Sequence, residues 1–213
     1  MKNVFFTADL HLGHANICRH TKRPQLQPGD TCVKDGKEAW VSKEVAAKRC
    51  FAMDEFLIDN WNSTVDNHDD VYFLGDFSFK KMSPYLARLN RSKLYFVAGN
   101  HDKNISGEVR TLNDIVVLPP LAQVNIRGQE IVLCHYALVT WPRSHFGAWM
   151  LHGHSHGSLA PNSHARIMDV GVDCHPQYRP FSFAEIGAYM QTKTFKAIDH
   201  HENLLKMISK SVV

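Results

Sequence analysis

The chain has 213 residues, of which 44% are apolar and 21% are charged, and its formal net charge at pH 7 is +3. A chain of this length and composition can bury one sizeable core, so general disorder is excluded, and the mild positive charge falls short of that of a dedicated nucleic-acid-binding module. We expect a single domain over residues 1–213, with an inserted loop and helix at about 18–62 and a C-terminal tail at about 191–213.

The cysteine pattern favours neither a disulfide framework nor a thiolate metal site. The chain has five cysteines, an odd number, and none of them forms a C-x-x-C pair. The apolar run at the N-terminus is too short for a signal peptide, and no stretch reaches the length of a membrane span. We therefore expect free thiols, a cytoplasmic location and no membrane partner. The oligomeric state is not predicted.

The first predicted strand covers Val4–Ala8, and a polar loop, Asp9–His14, follows it. Residues 18–40 show little periodicity, which predicts a long loop. Such a loop could be a surface insertion that carries a solvated basic run, which we favour, or a lid that faces a substrate. From Ser42, apolar residues at spacings of three and four predict an amphipathic helix that ends at Asn62-Ser63.

The rest of the chain is dominated by predicted strands. A period of two on either side of Arg127-Gly128 predicts a β-hairpin. In the tail, Leu204, Leu205 and Ile208 are at helical spacing, which fits a docked terminal helix or a loosely held tail equally well. About eight strands, with helices concentrated in the first half, favour a mixed sheet or two stacked sheets over a uniform doubly wound fold. The other predicted elements are a short helix from Ser83 to Leu89 and strands at 71–74, 94–98, 115–118, 148–151 and 167–172.

Five strand-like runs each end in residues that can bind a metal ion. In chain order these residues are Asp9-Leu10-His11, Gly75-Asp76, Gly99-Asn100-His101-Asp102, His135 and Gly153-His154-Ser155-His156. Ligands of open α/β sheets bind at the carboxyl ends of the strands. A lone Asp-x-His motif is weak evidence and Gly-His-x-His is stronger, but all five motifs follow apolar runs. We therefore expect the five strand ends to meet and to hold two divalent cations, with Asp76 between them.

The five ordered motifs resemble the calcineurin-like metallophosphoesterase superfamily, over most of the chain from Thr7 to about Asp173. The resemblance implies an α/β fold of the α+β sandwich type, with two stacked mixed β-sheets flanked by helices in four layers. Carboxylate, carboxamide and imidazole ligands suit Mn²⁺ best, with Fe²⁺, Zn²⁺ or Ni²⁺ as alternatives. By position, the resemblance implies that Asp9, His11, Asp76 and His156 hold one ion and that Asp76, Asn100, His135 and His154 hold the other.

The same resemblance implies hydrolysis of a phosphoester by a hydroxide that bridges the two ions. His101 then corresponds to the general acid that protonates the leaving oxygen. Asp102 could orient the ring of His101, although helix capping is an equal alternative. His14, Asn100 and Arg143 are candidates for substrate binding. The alternative for His14 is to support the ligands from behind or to be solvated, and the alternative for Arg143 is a plain surface role.

Two departures from the superfamily pattern disfavour a protein Ser/Thr phosphatase. The second motif continues as Phe77-Ser78-Phe79-Lys80, and Ala98 rather than an arginine precedes the third motif. The chain is closer to the small single-domain prokaryotic and phage phosphoesterases. We expect a phosphodiesterase rather than a phosphomonoesterase, acting on a phosphoester of unknown identity. The rival interpretations are a nuclease acting on nucleic acid, which the charge supports only modestly, and a non-catalytic metal-binding scaffold of the same fold.

Overall fold

The structure is a computed structural model that describes residues 2–102, 107–110, 112–160 and 162–194. The predicted helical spacing around Leu204 lies outside these residues. No helix in these ranges is long and apolar enough to cross a membrane. The strands are β1 (Val4–Thr7), β2 (Thr31–Lys34), β3 (Lys37–Trp40), β4 (Asp70–Phe73), β5 (Lys93–Phe96), β6 (Ile115–Val117), β7 (Leu121–Ile126), β8 (Gln129–Cys134), β9 (Trp149–His152), β10 (Ile167–Asp169) and β11 (Phe181–Ser182). The helices are α1 (Ala15–His20), α2 (Lys43–Asn62), α3 (Ser83–Leu86), α4 (Gly107–Arg110) and α5 (Phe183–Gln191), with short 3₁₀ turns at Ser144–Phe146 and Val172–Cys174.

The fold is mixed α/β, with several sheets and few helices. The larger sheet has the order β11-β1-β4-β5-β6, in which β1, β4, β5 and β6 run parallel and β11 runs antiparallel to β1. The second sheet has the order β10-β9-β8-β7, with β7 antiparallel to β8 and the other pairs parallel. The predicted hairpin around Arg127-Gly128 is confirmed as β7 and β8. Parallel strands end at one edge, so the carboxyl ends of β1, β4 and β5 lie side by side.

Two buried apolar clusters cover the faces of the larger sheet. The first cluster packs α2 against the sheet and includes Leu57, Trp61, Phe73 and Phe96. The second cluster draws residues from both large sheets and from α5, and its members include Phe6, Tyr72, Leu74, Val97, Ile131, Leu133, Leu151 and Ile186. The side chains of β4 therefore alternate between the two clusters, as the period of two in a strand requires. The second cluster therefore joins residues of the two large sheets in one apolar core.

The predicted helix after Ser42 is confirmed as α2. The Ser42 hydroxyl caps the helix by accepting a hydrogen bond from the backbone N–H of Val45 at 3.2 Å. The buried residues of α2, at spacings of three and four, form one face: Cys50, Met53, Asp54, Leu57, Ile58 and Trp61.

The prediction of a long loop over residues 18–40 is wrong in part. The second half of this segment forms a hairpin of β2 and β3, turning at Asp35-Gly36, where both residues have positive φ angles of 51° and 72°. Asp-Gly is the sequence favoured by such a two-residue turn, because both positions need the left-handed region. The hairpin strands are mostly exposed, so they lack the apolar alternation that marks a half-buried strand.

Candidate metal centre

The candidate site lies at the carboxyl ends of strands from both large sheets. Asp9 follows β1, Asp76 follows β4 and Asn100 follows β5, all in the larger sheet. His135 follows β8 and the Gly153–His156 loop follows β9, in the second sheet. Backbone hydrogen bonds tie the loops together, including Asp9 N–H to Gly75 C=O at 2.9 Å and Gly153 N–H to His135 C=O at 3.0 Å. Residues far apart in sequence therefore share one small region.

Two groups of side chains in this region have the arrangement needed to hold a metal ion. Within each group, one ligand atom from every residue lies within 4.8 Å of the others. The structure thus brings together, in two sets, six of the seven residues that the sequence suggested as ligands. The seventh, Asn100, places its Oδ1 3.0 Å from Nε2 of His135, beside the second group. The first group is Asp9, His11 and His156, and the second is Asp76, His135 and His154.

Asp76 lies between the two groups. Its Oδ2 is 3.4 Å from Nε2 of His135 in its own group and 3.7 Å from Nε2 of His11 in the other. Its Oδ1 accepts a hydrogen bond of 2.8 Å from the backbone N–H of His101. One carboxylate oxygen is therefore fixed by the backbone, while the other faces histidines of both groups.

The first group contains buried polar atoms that lack partners among the described residues. Asp9 is 0% exposed and His11 is 3% exposed, yet Oδ1 of Asp9 and both ring nitrogens of His11 have no hydrogen-bond partner in that part of the chain. A buried polar atom without a partner is costly and therefore rare in proteins. A divalent cation bound by Oδ1 of Asp9 and one ring nitrogen of His11 would satisfy those two atoms, so the donor set fits a metal ion.

The backbone at most of the candidate ligands has a conformation that residues other than glycine rarely adopt. Asp9, His11, Asp76, His154 and His156 all have positive φ angles, between 47° and 66°. Non-glycine residues occupy this left-handed region infrequently, and residues that do so tend to lie at functional sites. Five of the six residues in the two groups share this property, which supports a functional role for the whole constellation.

Glycines in the motifs allow the ligand loops to approach closely. A Cβ atom placed on Gly99 would lie 2.6 Å from the backbone nitrogen of Asp76, and one on Gly153 would lie 2.6 Å from Oδ2 of Asp9. Real Cβ atoms essentially never come so near to other heavy atoms. The glycines that mark these motifs in the sequence therefore make room for the two carboxylates.

Burial shapes the ionisation of the first group. It raises the pKa of Asp9 to about 7, against the opposing influence of His156 and His135. It also lowers the pKa of His11 to about 2, against the attraction of Asp76. His11 is therefore unprotonated at neutral pH, which is the form of imidazole that binds a metal ion.

His101 and Asp102 occupy different environments although they are adjacent in the chain. The His101 side chain is 43% exposed, with its Nε2 4.0 Å from Oδ2 of Asp76. Asp102 is buried, and its carboxylate accepts hydrogen bonds from the backbone N–H groups of Asp76, Phe77 and Gly99, at 2.7 to 3.1 Å. Asp102 thus joins the second and third motif loops. The alternative role of Asp102, as an orienting group for the ring of His101, stays a prediction.

The predicted substrate residues are placed in two different regions. His14 lines a cavity of about 760 Å³ together with residues of both metal groups and with His101, His20 and Lys22. The His14 ring stacks on Phe79, with ring centroids 3.8 Å apart, and burial lowers its pKa to about 4. Arg143 is exposed, does not line this cavity, and has its guanidinium carbon 5.4 Å from the ring centre of Phe146. Its role in substrate binding stays a prediction without a supporting contact.

Two residues that sequence reasoning missed complete the surroundings of the first group. Arg23 is buried, the side chain of Asp173 is 6% exposed, and the two form a salt bridge with Nε of Arg23 2.8 Å from Oδ1 of Asp173. Asp173 in turn accepts a hydrogen bond from Nδ1 of His156 at 2.7 Å. Arg23 stands in a basic stretch of the inserted segment, Arg19 to Arg23, and nothing in the sequence pattern marks it as buried.

The fold has a counterpart among solved structures. The AQ665 protein of unknown function from Aquifex aeolicus superposes with a TM-score of 0.59 at 19% sequence identity, covering 89% of this chain and 100% of that one. The chain shares this fold. The phosphoesterase YfcE from E. coli matches with a TM-score of 0.42 at 16% identity, over 80% of this chain and 78% of that one, a likeness too weak to carry an argument.

Sequence comparison finds relatives whose names state no activity. The uncharacterized protein MJ1445 of Methanocaldococcus jannaschii is 27% identical over 162 residues, which are 74% of this chain and 72% of that protein. The gene 66 protein of Mycobacterium phage D29 is 24% identical over 204 residues, covering 81% of this chain and 89% of that protein. No family model matches.

Proposed function

We propose that this chain is a metal-dependent phosphoester hydrolase that uses two divalent cations and acts on phosphodiesters in preference to phosphomonoesters. The observation that carries the proposal is the position of Asp76, whose Oδ2 faces His135 of one ligand group and His11 of the other. A single carboxylate placed in this way suits a pair of neighbouring cations, because a shared anion reduces their mutual repulsion. The order of the five motifs supports membership in the calcineurin-like metallophosphoesterase superfamily.

The residues divide into two sets of ligands under this proposal. Asn100 joins the second set because its Oδ1 lies beside Nε2 of His135. The mixture of oxygen and imidazole nitrogen ligands without thiolate suits Mn²⁺ best, with Fe²⁺, Zn²⁺ or Ni²⁺ as alternatives. When bound, such a pair of cations lowers the pKa of a water molecule and offsets negative charge on the phosphoryl oxygens. Asp9, His11, Asp76 and His156 would hold one ion, and Asp76, Asn100, His135 and His154 the other.

Three further side chains would act on the substrate. His101 belongs to neither ligand group and is partly exposed near Asp76, so its ring can donate a proton to the leaving oxygen. His14 and Lys22 line the cavity that contains the ligands, and Lys22 supplies positive charge there for a phosphate oxygen. The proton donor then lines the same cavity as four of the proposed ligands, which are His11, Asp76, His154 and His156.

We further propose that the chain is one domain whose two large sheets stack face to face, with helices outside. The second apolar cluster supports this arrangement, because Phe6 and Tyr72 of the larger sheet belong to the same cluster as Ile131 and Leu133 of the second sheet. Packing between two apolar sheet faces is how a sandwich buries its core. The inserted segment at about 18–62 then covers the other face of the larger sheet through α2.

A second candidate function is hydrolysis of nucleic acid. Two aromatic side chains that are nearly half exposed flank the ligands: Phe79, at 43% exposure, and Tyr136, at 47%. The Tyr136 ring centre is 4.7 Å from that of His154, and the Phe79 ring centre is 4.7 Å from that of His101. Exposed aromatic rings beside a phosphate site can stack on bases, which is the observation that supports this second candidate.

Turnover of two aryl phosphates tests the proposal. The chain, freed of metal and reloaded with Mn²⁺, is expected to hydrolyse bis(p-nitrophenyl) phosphate faster than p-nitrophenyl phosphate, and EDTA is expected to abolish both activities. His135→Ala should remove the activity, whereas His164→Ala is the matched control, since His164 is exposed and belongs to neither ligand group. Metal binding without turnover of either ester or of an oligonucleotide would favour the non-catalytic scaffold.

A further inference from the structure

We infer that Arg23 and Asp173 form a positioning pair that holds the Asp9, His11 and His156 group in shape, so that the inserted segment controls one of the two proposed metal sites. This inference rests on the proposed metal-binding function. It concerns two residues that lie outside the five motifs, Arg23 in the inserted segment and Asp173 after β10.

The contacts run from Arg23 through Asp173 to a candidate ligand. Arg23 donates from Nε to Oδ1 of Asp173 at 2.8 Å and from Nη2 to Oδ2 at 2.9 Å. Oδ2 of Asp173 also accepts the bond of 2.7 Å from Nδ1 of His156. With Nδ1 donating to a carboxylate, the His156 ring is fixed in orientation and presents Nε2 as its remaining nitrogen. A histidine supported by a carboxylate in this way is the usual arrangement around a bound metal ion.

Arg23 also holds the backbone that carries the other two members of the group. It donates from Nη2 to the carbonyl of Asp9 at 2.7 Å and from Nη1 to the carbonyl of Leu10 at 2.7 Å. These two carbonyls lie in the turn between Asp9 and His11, where both ligands have positive φ angles of 59° and 50°. One buried guanidinium therefore supports all three members, two through the backbone and one through Asp173.

The second group is supported by different partners. Nδ1 of His135 lies 2.7 Å from the carbonyl oxygen of Leu74, and the backbone of Asp76 is held by Asp102. Among the described residues, the side-chain hydrogen bonds of Arg23 reach Asp9, Leu10, Met53 and Asp173 and none of the second group. Loss of the Arg23–Asp173 pair should therefore affect the two metal sites unequally.

The inserted segment contains a second arginine–aspartate salt bridge, between Arg49 and Asp30, which provides a control of the same chemistry. It is less buried than the first, since the Arg49 side chain is 16% exposed. Arg49 donates from Nε to Oδ2 of Asp30 at 2.6 Å and from Nη2 to Oδ1 at 3.0 Å, and Asp30 is 6% exposed. This pair has no hydrogen bond to either ligand group in the described residues. Asp30→Asn thus removes a charge and weakens a bidentate pair without touching the candidate site.

The experiment is a Mn²⁺ titration of the full chain, with free Mn²⁺ measured by electron paramagnetic resonance. The wild type should bind two ions. Asp173→Asn preserves the shape of the side chain and should weaken one ion by about 10-fold to 100-fold while the other keeps its affinity. Arg23→Lys removes the planar guanidinium with its several donors and should weaken the same ion. Circular dichroism and melting temperature verify folding of each variant. If Arg23→Lys does not fold, the titration of Asp173→Asn alone tests the inference.

The outcomes separate this inference from the function on which it rests. Selective loss of one ion in Asp173→Asn, with two ions at wild-type affinity in Asp30→Asn, supports the positioning pair. If Asp173→Asn and Arg23→Lys both bind two ions at wild-type affinity, the positioning role of the pair is overturned. The hydrolase proposal then stays intact, and the salt bridge contributes to stability alone. A wild type that binds no Mn²⁺ overturns both.

Discussion

Asp76 and His135 follow strands of different sheets, yet Oδ2 of Asp76 lies 3.4 Å from Nε2 of His135. The other ring nitrogen of His135 bonds to the carbonyl of Leu74, at the end of the strand that delivers Asp76. His135 therefore links the two sheets at the point where the ligand groups meet. The site depends on the packing of both sheets, because neither sheet alone supplies a complete ligand set.

Asp76→Asn should weaken the binding of both metal ions, because it removes a negative charge that faces both His11 and His135. His154→Ala should weaken only the ion of the second group. We expect the Mn²⁺ titration to show two weakened ions in the first variant and one in the second. Asp70→Asn is the control, since Asp70 starts the same strand and pairs with Lys2 at 2.8 Å, away from the site. Equal losses in Asp76→Asn and His154→Ala would contradict a shared carboxylate.

His101→Ala should retain both ions and lose turnover. The side chain belongs to neither ligand group, and its assigned task is proton donation, which typically contributes about 10² to 10⁴ in rate. The measurement is kcat for a diester with a poor leaving group, together with metal content. Loss of metal in this variant would mean that His101 supports the ligands rather than the leaving oxygen. His68→Ala, at an exposed turn before β4, is the control.

The candidate ligands could be predicted from the sequence because a local signal marks each of them. Apolar runs predicted the strands, and polar residues at each end, preceded by glycine in three of the five motifs, predicted where the chain turns away. The parallel arrangement of β1, β4 and β5 then brings Asp9, Asp76 and Asn100 to one edge. Their convergence follows from strand direction rather than from any contact that could be read locally.

The supporting residues could not be predicted in the same way. Arg23 lies in a basic stretch that is typical of a solvated surface, and its partner Asp173 is 150 positions away in the chain. Only the tertiary fold shows that the two meet. Other elements had local signals that were overlooked: Asp35-Gly36 favours the β2–β3 turn, and Ser182 with Glu185 forms a capping box at the start of α5.

Gly99→Ala should destabilise the protein and weaken metal binding. Its Cβ would lie 2.6 Å from the backbone nitrogen of Asp76 and 2.9 Å from the carboxyl carbon of that residue, so the loop has to shift. Overpacking of this kind costs about 1–3 kcal/mol. Gly187→Ala is the control, because the added Cβ meets only Trp149, at 3.5 Å. Because Gly187 lies in the middle of α5, Gly187→Ala should stabilise the folded protein by about 0.5–1 kcal/mol. Chemical denaturation with and without Mn²⁺ measures the free energy of unfolding of both variants. A Gly99→Ala variant with the stability of the wild type would contradict the close approach of Gly99 to Asp76.

Glu185→Gln should reduce stability at neutral pH but not in strong acid. Burial opposes ionisation of Glu185, but hydrogen bonds from Arg179 and Ser182 outweigh it and lower its pKa from 4.5 to about 2. The folded state therefore binds fewer protons than the unfolded state between these values, so this contribution is complete above about pH 4.5 and is lost as the pH falls towards 2. We expect the melting temperature of wild type to exceed that of Glu185→Gln at pH 6, with the gap closing between pH 4.5 and 2. Glu38→Gln is the control, because its surface ion pair with Arg19 spans 3.8 Å and such pairs contribute little. A gap for Glu185→Gln that stays constant over this range would show that the carboxylate charge does not stabilise the start of α5.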